Sequence, residues 1–314
     1  MQIRFWGVRG SLPTPLTSDQ IQAKIISVVS KITPKDLVDD ESRMRFISSL
    51  PPGVFGTVGG NTACVELEFK NGTKVLLDCG SGLRAYSQNG RHPENKVYHI
   101  FLSHYHWDHI QGFPFFGQSY DPSTQIHIYS NYPDGEKYLS KQSSLPYFPE
   151  NGCWKSVKKQ ITFHLLNEGE EFELEGVKIN SHKMKHPGDS YAFSFVENGK
   201  KFIYCTDTEL QLKDFDIKLP ENQFFKDADI LVLDSQYTNL EAIEKENWGH
   251  SSFGNAIDFA TLYNVKNLYF FHHEPTYDDR KLFSILEAGR LYKTYNSKSN
   301  LSVYLAQEGK EIEL

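Results

Sequence analysis

The amino-acid sequence predicts an α/β layered fold, and three observations predict it. Short apolar strands separated by turn signals account for most of the chain. Helical patterns interleave with strands in its last third, as expected for sheets covered by helices. Several of the apolar strands end in polar residues, the arrangement in which loops on a rigid sheet carry chemistry.

Taken in order, residues 3–6 read as an edge strand. Residues 17–50 carry two helical patterns and no strand signal. In the first, Thr17 is an N-cap with Gln20 three residues on, and Ile21, Ile25, Val28, Val29 and Ile32 share a stripe. The second begins near Asp40 and is stopped by Pro51-Pro52-Gly53. This region reads as a helical insertion at about 14–55 in a single domain spanning 1–314. A lid over a site, a homodimer-forming helical pair and plain surface decoration all fit it. Residues 63–69 alternate, meet Asn71-Gly72 and resume as Lys74-Val-Leu-Leu-Asp78, a hairpin. Further strands are expected at 97–102, 125–129, 171–175, 177–184, 191–197, 201–206, 229–234 and 267–271, with a second hairpin turn at Glu197-Asn198-Gly199. Helices are expected at about 81–88, 133–142, 251–263 and 279–292.

Composition narrows the function. The 314 residues are 39% hydrophobic and 23% charged, the balance of a globular protein with a sizeable core. No window approaches the ~18–20 apolar residues of a membrane span, and the start, Met1-Gln-Ile-Arg-Phe-Trp-Gly, does not read as a secretory signal. Forty acidic against 33 basic residues give a net charge of -7, which disfavours large nucleic acids as partners. Cys64, Cys79, Cys153 and Cys205 show no CxxC spacing and read as reduced thiols of a cytoplasmic protein.

The strand at 97–102 runs into Ser103-His104-Tyr105-His106-Trp107-Asp108-His109. His104 and His106 can converge on one ion if the turn is tight, while Asp108 and His109 come around the bend towards a second. Imidazoles with carboxylates suit borderline divalent cations such as zinc. This spacing arises by chance in roughly one such sequence per thousand, so a His-rich surface loop is the weaker reading. His186, Asp207 and His272 each follow an apolar strand and can complete the ligand set.

The order of these motifs resembles the metallo-β-lactamase fold superfamily of hydrolases. Leu77-Asp78-Cys79-Gly80 is similar to its first motif, residues 104–109 to its second, and His186, Asp207 and His272 to the remaining three. The resemblance implies an αββα sandwich, two mixed β-sheets flanked by helices, with two divalent metal ions, zinc first and manganese or iron as alternatives. It implies that His104, His106 and His186 hold one metal, Asp108, His109 and His272 the other, and Asp207 both, roughly 3.5–4 Å apart. Asp78 would orient a ligand by hydrogen bonding without touching metal, and His273 would orient or pack.

Trp248-Gly-His250-Ser-Ser252 resembles the His-Ser-Thr loop of the tRNA 3′-processing endonucleases and related phosphodiesterases of this superfamily. Gly7-Val-Arg-Gly-Ser11, Gly59-Gly-Asn61-Thr62 and the run at 106–112 resemble an unclassified group of bacterial and archaeal relatives. No Gly/Pro-rich basic arm, by which tRNA-processing members grip tRNA, is found in the sequence. The expected activity is therefore a dinuclear phosphodiesterase on a small or cyclic phosphodiester, a cyclic nucleotide or a short RNA-like substrate. A bridging hydroxide would attack phosphorus. Asp108 would orient or deprotonate the nucleophile, and His250 would stabilise the transition state or protonate the leaving oxygen. Ser251 and Ser252 at a helix N-terminus, and Asn61 and Thr62, are weaker candidates for substrate contact. A lactone, thioester or carboxylic-ester hydrolase on the same metals, and an RNA 3′-processing endonuclease, are the alternatives. His99, His127, His164 and His182 read as strand residues with structural roles. Arg9, Lys183 and Lys185 are weak candidates for phosphate contact. Trp107, Trp248, Tyr237 and Phe55 are candidates for a base-stacking pocket.

Overall fold

The computed structural model describes residues 1–149 and 154–314; Cys153 lies outside the described residues. Fourteen strands form two seven-stranded sheets among them. The first contains β1 (Gln2–Gly7), β2 (Cys64–Glu68), β3 (Lys74–Leu77), β4 (Val97–Phe101), β5 (Gln125–Ser130), β6 (Ile161–Leu165) and, from the C-terminal end, β14 (Glu311–Glu313). Its order is β14-β1-β2-β3-β4-β5-β6. The second runs β13-β12-β11-β10-β9-β8-β7. It is built from β7 (Phe172–Leu174), β8 (Val177–Met184), β9 (Ser190–Glu197), β10 (Lys200–Cys205), β11 (Ile230–Asp234), β12 (Asn267–Phe271) and β13 (Ser302–Leu305).

Both sheets are mixed. Pairing is antiparallel from β14 to β3 and parallel from β3 to β6; in the second sheet it is antiparallel from β7 to β10 and parallel from β10 to β13. The central parallel strand β11 is apolar through Ile230-Leu-Val-Leu because both of its faces are covered. Phe101 of β4 meets Phe193 of β9 edge-on at 5.4 Å, and Phe5 of β1 meets Phe271 of β12 at 6.2 Å, so the main core lies between the sheets. Leu83 and Tyr86 of the helix Gly82–Asn89 cover the outer face of the first sheet with Leu76, Ile100 and Ile128. Helices Phe253–Leu262 and Asp279–Asn296 cover the second, bringing Ile257 and the Gly289 backbone against Phe270. The layers are helix, sheet, sheet, helix.

The expected strands and the four expected helices are present, with boundaries shifted by a few residues. The helix expected at 251–263 begins at Phe253 because Ser252 caps it, its Oγ accepting from the Asn255 N–H at 3.1 Å. The edge-strand reading of residues 3–6 is corrected: β14 pairs outside β1, with Ile3 opposite Ile312. A three-residue strand written Glu-Ile-Glu carries too little apolar pattern to be read from sequence. Between β1 and β2 stand the helices Ser18–Val29 and Asp40–Ser49. The Thr17–Gln20 capping box is formed as its spacing predicts. The stripe it starts is not buried on this chain: Ile21, Ile25 and Val29 are exposed. Lys24 fastens the first helix to the body, donating to the Gly56 carbonyl and to the buried Asp279 carboxylate, each at 2.7 Å.

Parallel pairing of β4, β5 and β6 brings three histidines together. His99 and His127 stack with ring centres 5.2 Å apart, and His127 Nδ1 lies 3.0 Å from His164 Nε2. Burial, then the imidazoles of His127 and His164, push the His99 pKa from 6.5 down to about 4. Between those values an unfolded chain takes up a proton that folded His99 refuses. This contribution to stability is complete above pH 6.5 and lost as pH falls through about 4. In His99→Gln the unfolding free energy should therefore vary less steeply with pH between 6.5 and 5, by up to one proton, about 1.4 kcal/mol per pH unit. Denaturant titrations of both proteins across that window measure it, and equal slopes would remove His99 as the source.

Candidate metal centre

The ends of β3, β4, β10, β11 and β12 converge at one rim of the sandwich. Asp78 directly follows β3, Asp207 lies two residues beyond β10 and His272 directly follows β12. All three take left-handed backbone angles, with φ of 60°, 48° and 60°. Non-glycine residues hold such angles only where surrounding structure enforces them, most often at functional sites. After β4 the chain turns through Ser103–His106 into one helical turn, Trp107–Ile110, which carries Asp108 and His109 inward.

Two sets of four donors result, each able to hold one cation: His104, His106, His186 and Asp207, and Asp108, His109, Asp207 and His272; a third group of only three, Asp234, His250 and His272, shares His272 with the second. Asp207 belongs to both. Its Oδ2 lies 3.6 Å from His104 Nε2 and 3.5 Å from His186 Nε2; its Oδ1 lies 3.0 Å from His109 Nε2 and 3.1 Å from His272 Nε2. Asp108 Oδ2 lies 3.1 Å from His272 Nε2, and His186 Nε2 lies 3.0 Å from His106 Nδ1. Donors bound at ~2.1 Å in tetrahedral geometry stand about 3.4 Å apart, so these spacings fit cations.

The hydrogen bonding fits them as well. His109 Nδ1 donates to Asp78, His186 Nδ1 to the Gly249 carbonyl and His272 Nδ1 to Gln236 Oε1, at 2.8, 2.8 and 3.0 Å. His104 Nδ1 lies 3.0 Å from Ser103 Oγ. Each ring thereby turns its other nitrogen inward, and His104 Nε2 is buried there with no hydrogen-bond partner. That is the arrangement of metal-binding imidazoles, whose second nitrogen fixes tautomer and orientation. Burial, with repulsion between neighbouring imidazoles, lowers the pKa values of His104, His106 and His186, keeping lone pairs available. Burial would raise Asp207, but His109, His272 and His104 outweigh it and hold the carboxyl well below its ordinary range. Divalent cations, which the fold family implies, suit this donor set. No donor is sulfur: Cys64, Cys79 and Cys205 are buried free thiols outside both sets, with pKa values pushed up by burial.

Asp78 is entirely buried and accepts from the Ser103 N–H, Ser103 Oγ, His109 Nδ1 and Tyr204 Oη. Gly10 packs on the other side. A Cβ there would lie 2.4 Å from the His272 ring. Gly10→Ala should therefore cost metal affinity on the order of 10–100-fold, the usual result of displacing a ligand's support. Competition against a chelator measures this, and unchanged affinity would show that the ring can move without loss.

His250 stands against both sets, its ring centre 5.1 Å from that of His186 and 4.8 Å from that of His272. Its Nδ1 donates to Asp234 Oδ2 at 2.6 Å. Asp234, fully buried at the end of β11, also accepts from the N–H groups of Thr208, Gln236 and Ser251. Burial alone would lower the His250 pKa; Asp234 first, then Asp207 and Asp108, outweigh it and push it up to about 9. Gly249 at φ +89° sits where a Cβ would strike His186, so the loop closes on the ligand ring. Asp234 and Gln236 escaped the sequence reading. The signal was present: Ile230-Leu-Val-Leu-Asp234 repeats the pattern of an apolar strand ending in aspartate seen at Asp78.

The weaker candidates are engaged elsewhere. Asn61 donates to Glu308, and Thr62 Oγ1 accepts from the Ser81 N–H and from Gln111. Ser251 Oγ donates to the Thr208 carbonyl, and Ser252 serves as the helix cap. His273 is buried, with Nε2 2.9 Å from the Ala306 carbonyl, and packs without facing the donors. Arg9 is buried as well, its guanidinium donating to the carbonyls of Gly59, Glu274 and Tyr277. Lys183 pairs with Asp189.

Comparison with known proteins agrees with the geometry. The family model described as a beta-lactamase superfamily domain matches residues 73–273. A Ribonuclease Z of Oceanobacillus iheyensis is 23% identical over 275 residues, covering 73% of this chain and 88% of that protein. Zinc-bound PqqB from Methylobacterium extorquens superposes with a TM-score of 0.66 at 11% identity, covering all of both chains. A diphosphatase of the PhnP family superposes at 0.62 with 18% identity, covering all of this chain and 96% of the other. At such identities the two structures attest to the fold alone. The family match encloses both donor sets, and the chain belongs to the beta-lactamase superfamily as a metallo-β-lactamase-fold hydrolase.

Proposed function

We propose that this chain is a dinuclear phosphodiesterase acting on a small or cyclic phosphodiester. The observation that carries the reading is the Asp234–His250 pair beside both donor sets. Neither set needs His250 to reach four donors. A histidine hydrogen-bonded at that point to a buried carboxylate can give a proton to the departing oxygen, which matters most for the poor alkoxide leaving group of a ribose phosphodiester. The relatives named Ribonuclease Z support phosphorus chemistry.

Two divalent cations, zinc first, would be held by His104, His106, His186 and Asp207 and by Asp108, His109, His272 and Asp207; they would supply an activated water and neutralise charge on the phosphoryl oxygens. The residues do the rest. Asp108 Oδ2, fixed by the Ser11 N–H at 2.7 Å, orients the attacking water. Asp234 holds the His250 proton at Nδ1, which leaves Nε2–H to meet the oxygen that departs. Asp78 keeps His109 in register through Nδ1.

The test is turnover by zinc- or manganese-replete protein on bis(p-nitrophenyl) phosphate, a lactone and a p-nitrophenyl ester, followed by cyclic mononucleotides, cyclic dinucleotides and short RNA. Phosphodiester turnover should dominate, with small substrates ahead of RNA. Faster lactone or ester turnover would overturn the phosphodiesterase reading, and preference for RNA 3′ ends would replace its substrate.

A further inference from the structure

A cavity of about 610 Å³ opens beside the first donor set and shares His104 and His106 with it. Its other walls are largely aromatic. Trp107, Phe115 and Tyr147 line it with 79%, 57% and 65% of their surface exposed, and Phe148 meets Phe115 edge-on at 5.5 Å. Lys141 also lines it, from the C-terminal end of the helix Gly135–Gln142. Scattered exposed rings are ordinary, but three large ones gathered in one concavity mark a binding surface. The volume lies within the ~300–1,000 Å³ of pockets that enclose small ligands.

We propose that this cavity is a base-binding subsite, in which Trp107 and Phe115 stack the heterocycle of a cyclic mononucleotide whose phosphodiester lies at the donor sets and whose product is the mononucleotide. The proposal rests on the phosphodiesterase reading and gives its substrate a class. Three features select this occupant. Uncovered aromatic faces attract a flat heterocycle, whose π-face suits them whatever its edge groups. Lys141 adds a cation to the wall, which suits an anionic ligand. The net charge of -7 favours one nucleotide over a polyanion, whose binding relies on many phosphate contacts. In the reaction the oxygen of water bonds to phosphorus, one phosphorus–oxygen ester bond breaks, and the leaving oxygen takes a proton.

The test is calorimetric binding of adenosine 5′-monophosphate and of ribose 5-phosphate to the metal-loaded protein and to Trp107→Ala and Phe115→Ala. Both side chains are exposed, and the second lies away from the donors in sequence. The nucleotide should bind wild type at least tenfold more tightly than the base-free sugar phosphate. Each variant should lose about 5- to 100-fold for the nucleotide, the equivalent of one stacked base, while keeping its affinity for ribose 5-phosphate. Equal binding of the two ligands by wild type, or an unchanged ratio in both variants, would overturn the subsite. A short oligoribonucleotide binding tenfold more tightly than the mononucleotide would overturn the mononucleotide as occupant. Hydrolysis of bis(p-nitrophenyl) phosphate without base preference would sink the subsite and leave the phosphodiesterase standing. Base preference without any phosphodiester turnover would do the reverse.

Discussion

Asp207→Ala should lose both cations together and take turnover down by on the order of 10⁴-fold or more, the scale seen when one member of a cooperative unit is removed. The expectation follows from how one carboxylate is shared. Oδ2 faces His104 and His186, while Oδ1 faces His109 and His272. Without it each set keeps three donors, and the charge that draws divalent cations among five imidazoles, four of them buried, falls to that of Asp108 alone. The comparison variant is Asp78→Ala. Asp78 orients His109 from behind and belongs to neither set, so the loss should be nearer 10–100-fold with cations retained at higher concentration. Metal analysis after gel filtration, paired with turnover, separates the two. Two equivalents retained in Asp207→Ala, with activity within tenfold of wild type, would show that the donor sets do not depend on a shared carboxylate.

The residues of these sets were legible in the sequence for a physical reason. Each lies beyond a run read as a strand, apolar before His104, Asp207 and His272 and alternating before His186, and the strand ends meet at one rim. His104 to His109 stood out further through their density. The oxygen-by-oxygen division of Asp207 was not legible, because it depends on the left-handed turn after β10, which no propensity of aspartate dictates. Asp234 was missed because a single aspartate at a strand end is common, and its partner His250 lies 16 positions away along the chain. Likewise β13 and β14 were not read, and β6 was read only through His164 as a strand residue. Each is the last strand of its sheet, three to five residues long, and takes its structure from the neighbour it pairs with. The stripe Ile21, Ile25 and Val29 gave the correct helix but not its surroundings, since periodicity reports an apolar face and not what lies against it.

His250→Ala should keep fold and metal yet lose activity by an amount that depends on the leaving group. The residue is outside both four-donor sets, and its hydrogen bond runs to Asp234, which belongs to neither of them. Loss of a proton donor or charge-stabilising group costs ~10²–10⁴-fold in rate. The upper end should appear with a ribose phosphodiester, whose alkoxide leaves poorly unless protonated. The loss should shrink towards the lower end, or below it, with bis(p-nitrophenyl) phosphate, because p-nitrophenolate departs without a proton. Asp234→Asn should follow the same leaving-group dependence, because the carboxylate that holds the His250 proton is gone. A purely structural role for the pair would instead lower both substrates equally and would change metal content through Gly249, whose carbonyl orients His186. Parallel kinetics on the two leaving groups, with metal analysis of each variant, distinguish these outcomes. Equal losses with metal retained would leave His250 as a stabiliser of phosphoryl charge and not an acid. No loss on either substrate would remove the pair from the reaction and bring back the carbonyl-ester hydrolase, for which the site already holds every other part.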